Sequence, residues 1–279
     1  MRTLTRHLPA LTAVVLALAT GVALGAGPLA AAGKDALASP PQAKHAQAKD
    51  NFGDEYAAAT ARRLLGKGLA GRSVAMLVAP GADQRAVAGV RSMITTAGGR
   101  PTVWNLGAGL VSGGETALVD TLGRQMVKQA HWSGLDRDLT AYPRIGRLIA
   151  RAVVTPNGND AVADQVTANL RASLSGAELV RGQARQGRAS AVVLVLGTDV
   201  NDDLLAGLLG GLASGSPTMV AVAPERAGDL TVASDVDGVA TVDGADRVEA
   251  QVATLLAVIQ RSQDGDFGAS GSDGPAPLG

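Results

Sequence analysis

The hydrophobic pattern of the chain begins with an uncharged, apolar run from Leu8 to Gly33. Basic residues precede this run, and Lys34 and Asp35 follow it. About 20 apolar residues allow a helix to cross a bilayer, and basic residues before a span hold that end in the cytoplasm. The pattern therefore predicts a cytoplasmic N-terminus and a single transmembrane helix within residues 1–33, with the rest of the chain extracytoplasmic.

The same run could be a cleaved signal peptide or a retained anchor. Ala30 and Ala32 form a small-x-small pattern that a signal peptidase could use. Against cleavage, the apolar core is longer than that of an ordinary signal peptide, and small residues recur at helical spacing. These residues are Ala13, Ala17, Gly21 and Gly25. We expect a retained anchor, and this face predicts close packing with a second copy of the chain or with a partner membrane protein.

Two polar segments flank the central part of the chain. Residues 34–49 contain Pro40-Pro41 and few large apolar side chains, which predicts a tether without a stable helix through its middle. A helix is predicted from Asn51 to about Leu65. Residues 263–279 are rich in Gly, Ser, Asp and Pro, which predicts a disordered tail.

Between these segments, apolar runs alternate with helical periodicity, which predicts an α/β domain over residues 50–262. Ser73–Ala79 and Ser190–Leu196 are continuous apolar runs, typical of strands buried on both faces. Asp243 is a candidate cap for the final helix. This alternation indicates a mainly parallel sheet covered by helices on both faces. The other predicted strands are Thr102–Leu106, Thr218–Ala223 and Val239–Val242, and the other predicted helices are Asp83–Thr96, Glu115–Gln129, Asp138–Val153, Asp160–Leu174, Asn201–Ala213 and Ala245–Arg261.

Charge and composition narrow the functional classes. Lysine and arginine number 25, and aspartate and glutamate also number 25. Since no basic patch with interleaved aromatic residues occurs, nucleic-acid binding is not expected. The chain contains no cysteine, so its fold must depend on an apolar core rather than on disulfides.

Two sequence motifs are candidates for a catalytic or cofactor site, a glycine-rich spacing and a histidine-containing loop. The spacing Gly66-x-Gly68-x-x-Gly71 follows a predicted helix and precedes a strand, the reverse of a dinucleotide-binding loop, so it predicts a turn. His131 is the only histidine inside the predicted domain, and its loop-like His-Trp-Ser-Gly context favours a surface position. The sequence also lacks a Gly-x-Ser-x-Gly nucleophile elbow. We therefore expect a non-enzymatic protein with no evident cofactor.

An acidic segment follows the strongest predicted strand, at the edge where ligands of α/β sheets bind. Asp199, Asp202 and Asp203 could supply carboxylates to a hard divalent cation. Alternatively, Asp199 or Asn201 caps the next helix, and Asp202 and Asp203 complement the dipole of that helix. The sequence favours capping.

Two stretches of the sequence resemble the actinobacterial MctB family, also called the SteB family. The first is the anchor LPALTAVVLALATGVALG at Leu8–Gly25, followed after a spacer by DNF at Asp50–Phe52. The second is GRSVAMLVAPGADQRAVAGVRSMITTAGG at Gly71–Gly99. The order of anchor, spacer, DNF helix, strand, proline-containing turn and helix ending in Gly-Gly is that of the family. A looser likeness extends to about Gly268.

The resemblance implies a role in copper transport or efflux and in copper homeostasis, at the cell membrane within the cell envelope. It also implies an alternative, a non-enzymatic scaffold that partners the membrane protein SteA and regulates cell division through a peptidoglycan hydrolase. The family spacer after the anchor is a coiled coil, whereas Lys34–Lys49 is short and lacks apolar a/d repeats. No copper-ligand motif carries over, because the methionines are scattered, and Met76 and Met219 fall within predicted core strands.

Overall fold

The structure, a computed structural model, describes residues 41–110, 116–132, 134–136, 138–182, 187–198, 201–226 and 228–278. The predicted anchor lies outside these residues, together with its small-residue face of Ala13, Ala17, Gly21 and Gly25. Within the described ranges, no helix is both long enough and apolar enough to cross a membrane.

The chain divides into two compact units, residues 1–52 and 53–279. The described part of the first unit is the beginning of helix α1, Pro41–Leu65, and the rest of α1 belongs to the second unit. Residues 41–49 are thus helical, whereas the sequence predicted a tether without a stable helix. Proline is well tolerated here because it occupies the first helical position, where its missing N–H would have had no partner.

The second unit alternates strands and helices. Its strands are β1 (Ser73–Val78), β2 (Arg100–Leu106), β3 (Ala161–Val162), β4 (Val180–Gly182), β5 (Gly187–Arg188), β6 (Ala191–Val195), β7 (Met219–Val222), β8 (Ala240–Val242) and β9 (Asp266–Phe267). Its further helices are α2 (Gln84–Thr96), α3 (Thr116–Ala130), α4 (Ala141–Val153), α5 (Gln165–Gly176), α6 (Asp202–Ala213), α7 (Gly228–Ser234) and α8 (Val248–Gln260), with a 3₁₀ turn at Ala108–Leu110.

Seven of these strands form one sheet in the order β4-β2-β1-β6-β7-β8-β9. Neighbouring strands run parallel, except that β4 runs antiparallel to β2. The five strands β2-β1-β6-β7-β8 have the doubly wound order of flavodoxin-like sheets, in which the order reverses beside the first strand. The predicted α/β class with a mainly parallel sheet is therefore confirmed. Strands β3 and β5 form a separate antiparallel pair.

Successive residues of the central strands enter two separate apolar cores. On β1, Leu77 packs into the core shared with α3 to α7, whereas Met76 packs into the core shared with α1, α2 and α8. Both side chains are fully buried. The continuous apolar runs of β1 and β6 follow directly, because helices cover both faces of each strand.

Helices α4 and α6 cross with glycine at their closest approach. A methyl group at Gly146 would lie 2.3 Å from the carbonyl oxygen of Leu208, and one at Gly211 would lie 2.2 Å from that of Pro143. Carbon atoms do not approach oxygen this closely, so a hydrogen atom is all that either position accepts. In contrast, a methyl group at Gly210, next along α6, would have nothing within 4 Å.

The helix predicted over Asp160–Leu174 begins later than expected. It starts at Gln165, because the Asp164 carboxylate accepts a hydrogen bond from the backbone N–H of Thr167 at 2.8 Å and so caps α5. Residues 161–162, at the predicted start of the helix, form β3 instead.

The prediction that Asp243 caps the final helix is wrong. The cap position of α8 is Arg247, and the Asp54 carboxylate of α1 accepts the backbone N–H of Val248 at 2.7 Å. Asp243 is buried and accepts a hydrogen bond from the backbone N–H of Ser270 at 3.0 Å instead. A carboxylate from a distant helix thus takes the capping role.

The structure differs from the expected disorder of residues 263–279. Asp266–Phe267 adds strand β9 to the edge of the sheet, parallel to β8. The Asp273 carboxylate accepts the backbone N–H of Asp266 at 2.8 Å, and the Phe267 ring is buried against the second core. In the described part of this segment, the Asp- and Gly-rich composition therefore forms turns that hold a short strand.

Candidate functional site at the carboxyl edge of the sheet

Doubly wound sheets bind ligands at the carboxyl edge, where the strand order reverses. Here that point lies between β1 and β6, which are followed by Pro80-Gly81 and Gly197-Thr198. A methyl group at Gly197 would lie only 1.7 Å from the carbonyl oxygen of Pro80, and one at Gly81 would lie 2.8 Å from Oγ1 of Thr198. Gly81 also has a φ of +74°, which favours glycine. The two loops therefore fill the crevice with their own backbone.

A cavity of about 560 Å³ lies beside this contact, between the ends of β1 and β2. Its polar side chains are Gln84, Asn105, Glu178 and Arg181, and the last two form an ion pair. The amides can donate and accept hydrogen bonds, and the guanidinium can donate them. The cavity therefore suits a small polar ligand. Among the described residues that line the cavity there is no cysteine, methionine or histidine, the residues whose side chains bind copper well.

The acidic segment that follows β6 lies at the same edge. Asp199 is outside the described residues. The Asn201 side chain accepts the backbone N–H of Leu204 at 3.2 Å, and the exposed Asp202 and Asp203 occupy the first turn of α6. Capping by Asn201, one of the two predicted capping residues, is thus confirmed. Across the described part of the chain, no group of three or more His, Cys, Asp or Glu side chains is placed to hold a metal ion.

A carboxyl pair that sequence reasoning missed lies where α1 meets α8. Asp54 caps α8, and Glu249 stands in the first turn of that helix. Burial raises the pKa of Glu249 above its ordinary value, and a hydrogen bond and the charge of Asp54 raise it further, against the opposing charge of Arg247. The two acids are far apart in sequence, so no local pattern could have indicated the pair.

The interpretations of the two weak motifs are confirmed. Gly66 and Gly71 have φ values of +55° and +75°, and they flank the turn that links α1 to β1. His131 is exposed, with Nδ1 3.1 Å from the carbonyl oxygen of Gln129. Neither motif contributes to the cavity at the carboxyl edge.

The described methionines serve packing, as the sequence predicted for Met76 and Met219. Those two side chains are fully buried in the central strands, and Met126 of α3 is 3% exposed. Met93 of α2 packs against the second core and is partly buried. Their sulfur atoms are thus divided among different elements and both cores.

One comparison relates the chain to known proteins. A family model described as copper transport outer membrane protein, MctB, matches residues 1–277. No curated protein matches the chain. The match includes the predicted anchor and the whole α/β unit, so the relationship rests on nearly the full length rather than on one motif. It confirms the resemblance noted in the sequence.

Proposed function

Because the chain belongs to the MctB family of copper transport outer membrane proteins, we propose that it is a membrane-attached component of copper homeostasis. The observation that carries this proposal is the family match over residues 1–277. In our proposal the anchor within residues 1–33 crosses the cell membrane once, with its N-terminus in the cytoplasm. The α/β domain then lies in the cell envelope and works by binding a partner rather than by catalysis.

The packing of the methionine side chains supports an indirect role towards copper. Cu(I) prefers thiolate and thioether ligands. Met76 and Met219 are fully buried in central strands, so turning their sulfur atoms towards an ion would open the cores. We therefore propose that copper crosses the membrane through an assembly, to which this chain contributes its anchor and its folded domain.

The small-residue face of the anchor gives the chain a way to associate with another membrane helix. Ala13, Ala17, Gly21 and Gly25 recur at helical spacing, and such faces let two helix backbones approach closely in lipid. The proposed partner is a second copy of the chain or a SteA-like membrane protein. A single helix cannot enclose a path for an ion, so transport requires such association.

A division scaffold of the SteB type is the second candidate, and the start of α1 favours it. This helix begins at Pro41, within the segment for which the sequence predicted an irregular tether. A helical spacer after the anchor is closer to the family arrangement than the sequence suggested. In this alternative the chain positions a peptidoglycan hydrolase and does not affect copper.

Deletion of the gene tests the two candidates together. Intracellular copper measured by mass spectrometry and growth on copper report on homeostasis, and septum morphology reports on division. We expect raised copper and copper sensitivity with normal septa, restored by the wild-type gene. Normal copper with misplaced septa would overturn the copper proposal and leave the scaffold.

Variants of the anchor test whether its small-residue face matters. Gly21→Ile together with Gly25→Ile fills that face, whereas Ala19→Ile with Ala23→Ile adds similar bulk to the opposite side of the helix. We expect only the glycine pair to fail to complement the deletion, with equal amounts of protein in the membrane fraction. Equal complementation by both pairs would exclude pairing through this face.

A further inference from the structure

Arginine side chains gather at the amino-terminal edge of the sheet, opposite the cavity described above. Arg72 directly precedes β1, Arg100 begins β2 and Arg261 follows α8. Asp160 is the carboxylate that faces this group. Its oxygens accept the backbone N–H of Ser73 at 2.8 Å, the hydroxyl of Ser73 at 2.6 Å and Nη2 of Arg100 at 2.9 Å. The hydrogen-bonding capacity of Asp160 is thus largely used by these donors.

One donor of the Arg72 guanidinium has no acceptor in the part of the chain that the structure describes. Its Nε donates to Oγ of Ser190 at 3.1 Å, but its buried Nη2 has no hydrogen-bond partner among the described residues. Burial lowers the pKa of Arg72, and the nearby charge of Arg261 lowers it further, while Asp160 opposes the shift. A buried charged donor without an acceptor is unfavourable, and a neighbouring cation makes it more so.

Arg261 stands at a position that would suit glycine better. It ends α8 with a φ of +60°, in the left-handed region that non-glycine residues rarely adopt. Its guanidinium lies against Gly158, where an added methyl group would be 3.4 Å from Nη1. Within the described part of the chain, neither Arg261 nor Arg72 forms an ion pair. Gly158 lies two residues before Asp160, whose carboxylate accepts the backbone N–H of Ser73, the residue after Arg72. The two arginines from distant parts of the sequence therefore lie at the same edge of the sheet.

We propose that Arg72 and Arg261 form a binding site for a phosphate-class oxyanion. Guanidinium groups pair with phosphate oxygens through parallel N–H donors. A tetrahedral dianion has enough oxygens to accept from two guanidiniums that approach along different directions, and its charge balances both. A carboxylate carries one charge and therefore balances only one of the two guanidinium charges. The bound oxyanion supplies the acceptor that Nη2 of Arg72 lacks.

Two guanidinium charges favour a dianion, which free phosphate or a phosphomonoester supplies and a singly charged lipid phosphodiester does not. A lipid phosphodiester has the same acceptor chemistry, so the experiment needs an arm for each source. We commit to free phosphate or a phosphomonoester.

Titration calorimetry of the full-length protein in a maltoside detergent, with inorganic phosphate at low ionic strength, tests the proposal. We expect saturable binding of one phosphate per chain that weakens as salt increases. Arg72→Gln and Arg261→Gly should each weaken binding about tenfold or more, since each removes a charge-assisted pair. Arg261→Lys keeps the charge and should weaken binding less. Arg91→Gln removes an exposed arginine on α2 and is the matched control.

The glycine variant separates binding from folding. Because glycine suits the left-handed conformation of residue 261, Arg261→Gly should leave the unfolding temperature unchanged or raise it while binding is lost. No saturable heat at millimolar phosphate, undiminished binding by Arg261→Gly, or equal weakening by Arg91→Gln would overturn the site. Sedimentation with phosphatidylglycerol or phosphatidylcholine vesicles provides the lipid arm. Arg72-dependent binding to the anionic vesicles without any response to inorganic phosphate would overturn the assignment to free phosphate.

Discussion

The crossing of α4 and α6 yields a sharp prediction, because two adjacent glycines of α6 lie in opposite environments. A methyl group at Gly211 would lie 2.2 Å from the carbonyl oxygen of Pro143, so Gly211→Ala must push the helices apart by about 1 Å. Overpacking of this kind costs about 1–3 kcal/mol. Alanine regains about 1 kcal/mol through its higher helix propensity. The net expectation for Gly211→Ala is a loss of up to about 2 kcal/mol in the free energy of unfolding.

Gly210→Ala is the matched control, since its methyl group meets nothing within 4 Å. It gains the same helix propensity without the clash, and should stabilise the protein by up to about 1 kcal/mol. Urea unfolding followed by circular dichroism measures both variants, and a difference of about 1–3 kcal/mol between them is expected, because both gain the same helix propensity. For a domain of this size, 1 kcal/mol corresponds to about 2–4 °C in unfolding temperature. If Gly211→Ala were as stable as Gly210→Ala, the close helix contact would not exist as described.

Three further predictions concern stability. Arg144→Met removes the buried partner of Asp120 and should lower the free energy of unfolding in urea by about 2–4 kcal/mol. Arg124→Met removes the exposed partner of the same carboxylate and should lower it by less than about 1 kcal/mol. Equal losses would show that burial does not set the strength of the two ion pairs. Glu249 has a raised pKa in the folded state, so the wild type gains stability as pH falls through that pKa towards the unfolded value. Glu249→Gln should therefore be more stable than wild type at pH 7, by less than about 1 kcal/mol because the side chain is partly exposed. This advantage should vanish in acid, where Glu249 is protonated in both states. A difference that does not change with pH would contradict an origin in the raised pKa of Glu249. Phe267→Ala should cost about 2–4 kcal/mol by thermal unfolding, since the ring is 8% exposed, and an unchanged unfolding temperature would mean that β9 contributes little to the fold.

Sequence reasoning located the central elements well because their signals are local. The continuous apolar runs gave β1 and β6 to within one residue at each end. Asp83 and Asn201 lie at the predicted helix starts, and both cap their helices through side-chain hydrogen bonds. Periodicity and capping depend on residues within one turn, so a single sequence contains them.

The missed elements depend on partners that are distant in sequence. Strands β3 and β5 have two residues each, and β4 has three, too few for a pattern. The strand order, with β1 between β2 and β6, also has no local signal. Helix α1 begins earlier than the sequence predicts, because proline interrupts a helix only in its interior and Pro41 occupies the first helical position.

The same distinction applies to the sites. The acidic segment after β6 is visible in the sequence, and the sequence also predicts that Asn201 in this segment can cap α6. The placement of Arg72 and Arg261 at the same edge of the sheet could not be predicted from the sequence, because 189 positions separate the two residues and folding alone brings them together. Conversely, the close contact of Pro80 with Gly197 fills the crevice that the fold class alone would have offered as a ligand site.

The late position of β9 in the chain affects how the protein is made. Strand β8 has its outer edge covered by residues 266–267, so that edge stays open until those last residues of the sheet have been made and can pair with it. An open edge is a template for pairing with another chain, and growing chains begin to fold before synthesis ends. A product truncated between α8 and β9 would keep the helices of both cores but would leave the outer edge of β8 unpaired. Such fragments should be more susceptible to aggregation and proteolysis than the protein with β9 in place.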